Sequence, residues 1–305
     1  MDKLLFTIAI PAYNNETSIQ KTIDSCIAQE TDIAHEILIV DDASTDSTPE
    51  ILKSYSDTRI RIVTLDERVP LIENHNMCLN HAQGKYILFC HADDRLEEHA
   101  INFFNNKLKE RNFPKKYVVW GHSMFRDYSK KTSHFSDFSY NTIIVGEYAP
   151  SLFFYGGLTP SGTLYSRQSF IDLGGYIKTA MNASPSDMTT MIHLAMNGFR
   201  FEMVDEMLFY RENSSTALAH ENEDVYLNEI DDAFKFFIEQ TSTEKLNKLI
   251  GLTVSKKNKP LYFLYAMAQS SDVKVQIKRI IFKSLLMQAW KLRDPIFRRI
   301  IKRLL

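Results

Sequence analysis

Apolar positions in the first ninety residues alternate between two patterns. Short unbroken runs at Phe6-Thr7-Ile8-Ala9-Ile10, Glu36-Ile37-Leu38-Ile39-Val40 and Tyr86-Ile87-Leu88-Phe89 have no helical period. Runs of this length and composition predict strands buried on both faces, as in parallel sheets. Between the first two, Ile19, Ile23, Cys26 and Ile27 repeat at i, i+4, i+7 and i+8, which is one face of a helix. The first run stops at Pro11, and Asn14-Asn15 supply turn and N-cap chemistry. A second helix is expected to start at Ser47 or Thr48, because Pro49 then falls in its first turn, where a missing N–H costs nothing. Strand, helix, strand, helix at short spacing predicts a βαβ, doubly wound sheet.

Acidic residues recur just past the strand-like runs. Asp41-Asp42 close the second, and His91-Ala92-Asp93-Asp94 follow the third. Ligands of open α/β sheets bind beyond the carboxyl ends of the strands. A carboxylate pair placed there holds a divalent cation, and hard cations with few protein ligands accompany nucleotide phosphates. A strand ending in a solvated acidic turn would carry the same residues, so the acids alone leave both readings open.

In combination, Ile10-Pro11-Ala12-Tyr13-Asn14, the stretch Ile39-Val40-Asp41-Asp42-Ala43-Ser44-Thr45-Asp46-Ser47-Thr48, Asn76, Ala82, Gly84-Lys85-Tyr86-Ile87 and Asp93-Asp94 resemble family two of the glycosyltransferases. Looser matches follow at Gly174-Gly175-Tyr176, Asp187, Gly198 and Tyr210-Arg211, so the resemblance runs from about Leu5 to Asn213. It implies a GT-A fold: a doubly wound, mostly parallel sheet with flanking helices over residues 1–215, followed by a helical, basic C-terminal region over 216–305. The implied activity is inverting transfer of a sugar from a nucleotide-diphospho-sugar, expected to be a UDP-sugar. The implied acceptor is a glycan or lipid-linked acceptor in polysaccharide or lipopolysaccharide biosynthesis.

The same resemblance assigns roles residue by residue. Asp42 hydrogen-bonds the nucleotide base, while Pro11, Ala12, Tyr13 and Glu16 lie on the loop framing base and ribose. Asn76 belongs to the donor site, Asp93 touches ribose or donor sugar, and Asp94 holds a divalent cation, Mn2+ or Mg2+. Such a cation neutralises charge developing on a pyrophosphate leaving group. Inversion needs a base to deprotonate the acceptor hydroxyl as it attacks, and Asp187 is the matching position. It opens an expected helix through Met191, Leu194 and Ala195, where Ser186-Asp187 reads equally well as an N-cap.

Several positions depart from the family pattern. Ser186 stands where members often carry Glu, His75 replaces the Arg that commonly precedes Asn76, and Tyr210-Arg211-Glu212-Asn213 lacks the His of Tyr-Arg-x-His. His220 lies seven residues beyond Asn213, either as a substitute or as a solvated loop residue. These departures leave an alternative of another class, a non-catalytic nucleotide- or glycan-binding pseudoenzyme. A processive synthase is disfavoured, since no apolar run approaches 18 residues and a Gln-x-x-Arg-Trp motif is missing. A nucleotidyltransferase would begin with a Gly-rich phosphate loop, which Pro11-Ala12-Tyr13-Asn14-Asn15 is not.

Composition changes this picture in one respect. A chain of 305 residues with 44% hydrophobic content buries one large core or two smaller ones. Cys26, Cys78 and Cys90 have no metal spacing and are expected to pack in the interior of a protein from a reducing compartment. The N-terminus lacks signal-peptide organisation, so a cytoplasmic location is expected, peripheral at the inner face of the membrane. Charge, however, is divided. Residues 251–305 carry 13 Lys/Arg against Asp272 and Asp294, a net of +11, which leaves −13 for residues 1–250. Basic amphipathic helices at Val273–Trp290 and Asp294–Leu305 read either as a membrane-surface element or as packing helices with a basic exterior. Nucleic acid fits less well, because aromatic and glycine interleaving is absent. The aromatics Trp120, Phe125, Tyr128, Phe135, Phe138, Tyr140, Tyr148, Phe153, Phe154 and Tyr155 offer sugar stacking or core packing.

Overall fold

In the computed structural model, the described residues are 4–125, 131–132, 140–146, 149–153, 161–178, 186–211, 236–237, 239–242 and 244. Their elements run β1 (Phe6–Ala12), α1 (Ile19–Ile27), β2 (His35–Asp41), α2 (Thr48–Lys53), β3 (Ile60–Thr64), α3 (Leu71–His81), β4 (Tyr86–Phe89), β5 (Arg95–Leu96) and α4 (Ala100–Glu110). Then follow β6 (Tyr117–Phe125), β7 (Lys131–Thr132), β8 (Ile143–Ile144), α5 (Ala149–Leu152), β9 (Thr163–Ser166), α6 (Arg167–Ile171), α7 (Ser186–Met196) and β10 (Arg200–Arg211).

Among these residues ten strands form one sheet in the order β3-β2-β1-β4-β9-β6-β10-β5, with β7 on β6 and β8 on β10. The half built from β3, β2, β1 and β4 is parallel. Strand β9 then runs antiparallel to both β4 and β6, whereas β6 and β10 pair in parallel. The sheet is mixed and mostly parallel, with helices on its flanks, the layout that the GT-A resemblance implies.

The apolar runs form these strands because both of their faces are covered. Ile8, Ile10, Ile37, Ile39, Tyr86, Leu88 and Phe89 are all buried. Ile19, Ile23 and Cys26 point into the same core from α1. Pro11 is tolerated inside β1 for a geometric reason. Cys90 donates its N–H to the Ala9 carbonyl, so odd-numbered positions of β1 face β4, and the last β1–β4 pair is Ala9 with Phe89. The N–H that Pro11 lacks would therefore point past the end of β4, where no ladder bond is lost.

The end of β1 and the cap of α1 differ in detail from expectation, while α2 starts at Thr48 after Ser47 as expected. The first strand continues through Pro11 to Ala12 instead of stopping, since β2 still pairs with it there. The caps of α1 and α2 are Ser18 and Ser47, and neither uses its side chain. Asn15 receives the Ile19 N–H on its backbone carbonyl, while its side-chain Oδ1 accepts the Tyr13 N–H.

A buried polar cluster fastens the far half of the sheet. Glu202 of β10, wholly buried, accepts Arg111 Nη2 at 2.6 Å and Arg111 Nε at 2.8 Å, and also accepts the Tyr117 hydroxyl. Burial by itself would raise the Glu202 carboxyl, but Arg111, Tyr117 and Lys107 outweigh it and hold the group ionised. This cluster joins the end of α4 to β6 and β10.

All three cysteines are buried and free, as packing residues would be. Of the aromatics, Trp120 and Phe153 are buried, Phe153 with its ring 4.6 Å from Phe201. Tyr140 is exposed beside His122. Tyr128, Phe135, Phe138, Tyr148, Phe154, Tyr155, Asn213, His220 and the basic segment 251–305 lie outside the described residues. No helix among the described residues is long and apolar enough to cross a membrane.

Candidate active site at the carboxyl ends of the parallel strands

Parallel pairing puts the ends of β1, β2 and β4 side by side. Ala12 pairs with Asp41, and the Asp42 N–H continues the ladder to the Ala12 carbonyl at 2.9 Å. Asp42 is thereby buried at the mouth of the sheet, 3% exposed. Its Oδ1 accepts the Val69 N–H at 2.7 Å. Burial pushes its carboxyl up from the ordinary aspartate range, against the opposing pull of the Val69 hydrogen bond and of Arg68. The Arg68 guanidinium lies 4.0 Å from the centre of the Tyr13 ring, a cation–π contact that makes a flat wall beside Asp42.

The loops after β1 and β2 are knitted together. Asn14 and Ala43 adopt left-handed backbone with φ of 51° and 52°. Asn14 donates its N–H to Ser44 Oγ and accepts the Thr45 N–H. Asn15 donates to Thr48 Oγ1, and Glu16 N–H to Asp46 Oδ2. The Glu16 carboxylate accepts the Ser47 N–H at 3.0 Å. Glu16 thus shapes the loop beside Asp42 and Tyr13 by joining it to its neighbour.

Beyond β4 the chain turns tightly, with the Asp94 N–H bonded to the His91 carbonyl at 2.9 Å. Thr22 of α1 donates its hydroxyl to the Asp94 carbonyl at 2.7 Å, and Ser161 accepts the His91 N–H at 3.1 Å. Anchored this way, one ligand atom from each of His91, Asp93 and Asp94 lies within 4.8 Å of the others. Two carboxylates and one imidazole are a donor set that suits a divalent cation.

His75 meets this cluster from α3. Its Nδ1 lies 2.8 Å from the Leu71 carbonyl and its Nε2 3.0 Å from His91 Nε2. Burial lowers the His75 pKa to about 3, with His91 adding to the effect. His91 falls to about 4, again through burial first and the positive charge of Arg211 second. Both rings are therefore neutral at neutral pH. The exchange of Arg for His at position 75 thus does more than reduce charge, because it places an imidazole against the first residue of the acidic motif.

Asn76, one residue on, uses both ends of its amide elsewhere. Nδ2 donates to the Tyr176 carbonyl at 3.0 Å and Oδ1 accepts the Tyr176 N–H at 2.8 Å. It holds the turn after α6 against α3. Asp187 is the second residue of α7, whose Met188, Met191, Ile192 and Leu194 are buried. The helix expected from Ser186 onward is present, and the Asp187 side chain lies outside the described residues.

The structure brings Pro11, Ala12, Tyr13, Glu16, Asp42, Asp93 and Asp94 to one end of the sheet. Sequence reasoning passed over Arg68, Val69, Thr22 and Ser161. None belongs to a motif, and each reaches the site through a contact distant in sequence. His91 was in view within the acidic motif but carried no role of its own.

Comparison with known proteins bears on the family and the fold. The sequence profile of "Glycosyl transferase family 2" matches residues 7–174. The UDP-Glc:alpha-D-GlcNAc-diphosphoundecaprenol beta-1,3-glucosyltransferase WfgD of Escherichia coli is 35% identical over 94 residues, 31% of this chain and 37% of that protein. The chain spans well under half the length of the curated relatives it matches. A crystal structure of S. aureus TarS 1-349 in complex with UDP-GlcNAc superposes with a TM-score of 0.67 at 16% identity, covering 92% of this chain and 85% of that one. The mannosyltransferase PcManGT of Pyrobaculum calidifontis, in complex with GDP-Man and Mn2+, gives 0.54 at 16% identity, covering 97% and 78%.

Proposed function

Because the chain belongs to glycosyl transferase family 2, we propose that it transfers a sugar, with inversion, from a UDP-sugar to a glycan or lipid-linked acceptor in surface-polysaccharide assembly. The observation that carries this reading is the convergence of His91, Asp93 and Asp94 at the same strand ends as Asp42 and the Tyr13–Arg68 wall. One end of that mouth suits a base and the other a metal-bound diphosphate. The acceptor class follows the name of the Escherichia coli relative and the net charge of +11 in residues 251–305, which suits an anionic lipid surface.

Each residue has a task in this scheme. Asp42 accepts the N3–H of uracil, and burial strengthens that hydrogen bond by excluding water. Tyr13, on the loop after β1, walls the base and ribose; Pro11 and Ala12, expected on that loop, instead form the buried end of β1 that carries it, and Glu16 keeps the loop in place. Asn76 shapes the donor site by fixing the turn at Tyr176. Asp93 orients ribose or donor sugar, and Asp94 holds the cation. A divalent cation bound there supplies charge neutralisation to the departing diphosphate. Asp187 takes the proton from the acceptor hydroxyl as its oxygen attacks the anomeric carbon.

A panel of nucleotide sugars, followed by thermal shift and by donor turnover with and without Mn2+, tests the proposal. Ligand binding raises apparent stability as RT ln(1 + [L]/Kd). UDP-sugars are expected to stabilise the chain in the presence of Mn2+ and to be turned over, and Asp94→Ala is expected to abolish both effects while the protein stays folded. Binding without hydrolysis or transfer for any donor would instead indicate a pseudoenzyme.

A further inference from the structure

Building on the reading that a cation sits at Asp94, we propose that His91 is a third protein ligand through Nδ1. In this scheme His75 is a positioning residue that fixes the required tautomer, and the site prefers Mn2+ over Mg2+. The argument begins at Leu71. A carbonyl only accepts, so His75 Nδ1, 2.8 Å from the Leu71 oxygen, carries the hydrogen. An imidazole whose one ring hydrogen sits on Nδ1 presents a lone pair at Nε2. His91 Nε2, 3.0 Å away, must donate to it. The lone pair of His91 is left on Nδ1, and the ring belongs to the cluster formed with the Asp93 and Asp94 carboxylates.

His75 is itself held from several sides. Its ring stacks on Phe89 with centroids 5.4 Å apart and meets the edge of Tyr176 at the same distance. Ser161 fixes the His91 backbone. A ligating histidine whose second nitrogen is hydrogen-bonded has its tautomer and ring direction set in advance. An imidazole nitrogen also changes which ion is favoured. Mg2+ demands oxygen ligands, whereas imidazole suits transition metals.

Pulsed electron paramagnetic resonance of the full chain with Mn2+ and UDP tests this directly. Protein containing 15N-histidine is compared with protein at natural abundance, so that any nitrogen coupling is assigned to an imidazole and not to uracil. The wild type is expected to show histidine coupling. His91→Asp should retain Mn2+ and UDP but lose the coupling, and its affinity for Mg2+ relative to Mn2+ should rise about tenfold. His75→Ala should weaken Mn2+ binding by about 10–100-fold, the range for losing such a partner. His75→Gln, whose Oε1 accepts the same Nε2–H, should restore it. Mn2+–UDP bound without histidine coupling would overturn His91 as ligand and leave the Asp94 reading standing. Coupling that persists in His91→Asp would assign the nitrogen to another histidine and also overturn the proposal. Failure of the wild type to bind Mn2+ with UDP would remove the metal site itself.

Discussion

Asn76 and Tyr176 are joined by a two-point hydrogen bond, 3.0 and 2.8 Å, across a separation of 100 residues. The pair ties the turn after α6 to α3, one residue from His75. Gly175 permits the approach: its φ is +72°, and a Cβ there would lie 2.4 Å from Asn76 Oδ1. Gly175→Ala therefore combines backbone strain with a clash and is expected to cost about 1–3 kcal/mol. Asn76→Ala, which leaves the Tyr176 N–H and carbonyl without their partner, should cost about 1–3 kcal/mol. Urea denaturation checks both. An Asn76→Ala variant of unchanged stability but weakened UDP-sugar binding would show that Asn76 acts on the donor directly.

Base recognition should depend on the Asp42 carboxylate. Asp42→Asn keeps an oxygen for the Val69 N–H but loses the charged acceptor, and should weaken UDP binding by about 1–3 kcal/mol. The Asp42 pKa is raised by burial, so its proton returns at a higher pH than for an ordinary aspartate. The Asp42 contribution to UDP affinity is then present above that raised pKa and fades as pH falls through it. Calorimetric titration of wild type and variant over the same pH range isolates this component. Tighter binding of CDP than of UDP by the wild type would sink the assignment.

Asp187 should separate chemistry from binding. As a general base it acts in the transition state, so Asp187→Asn should lower kcat by about 10²–10⁴ with donor affinity nearly unchanged. Steady-state kinetics with a donor titration decides. Near-normal kcat would leave Asp187 as an acidic residue in the first turn of α7, where its charge complements the helix dipole.

The Glu202 cluster predicts a structural result with no catalytic component. Glu202→Ala leaves Arg111 and Tyr117 without their buried acceptor and should cost about 3–5 kcal/mol. Chemical denaturation is the measurement. A loss below about 1 kcal/mol would show that Arg111 regains water readily and that the buried pair is worth little.

The basic C-terminal segment predicts a salt-dependent association. The intact chain should co-sediment with PS-rich vesicles at low salt and be released as salt rises, because screening shortens the reach of exposed charge. Truncation after Arg293 should spare transfer to a soluble acceptor analogue and impair transfer to a lipid-linked one. A chain that stays in the supernatant at low salt would make the segment a packing element.

Much of this architecture was legible from local pattern. The three apolar runs have no helical period and too few residues for a helix, so they read as β1, β2 and β4. Ile19, Ile23 and Cys26 mark the buried face of α1 by spacing alone. Asp42, Asp93 and Asp94 stand immediately after those strands, and parallel pairing takes strand ends to one edge whatever lies between them. The β9 return and the β6–β10 pairing were not legible, because strand partners there are chosen by burial across many residues.

Side-chain partners within the site were decided by the tertiary structure. Glu16 bonds the Ser47 N–H, Asn76 bonds Tyr176, and His75 meets His91, contacts that span 31, 100 and 16 residues and lie beyond the reach of helix or strand period. The amino-acid order determines which groups carry charge and on which element they ride, because helix and strand periodicity are local. Which hydrogen bond each group makes depends on what packing brings within 3 Å of it, and for His91 that distance, set by α3 packing on β1 and β2 with His75 stacked on Phe89, determines which nitrogen is left with a lone pair.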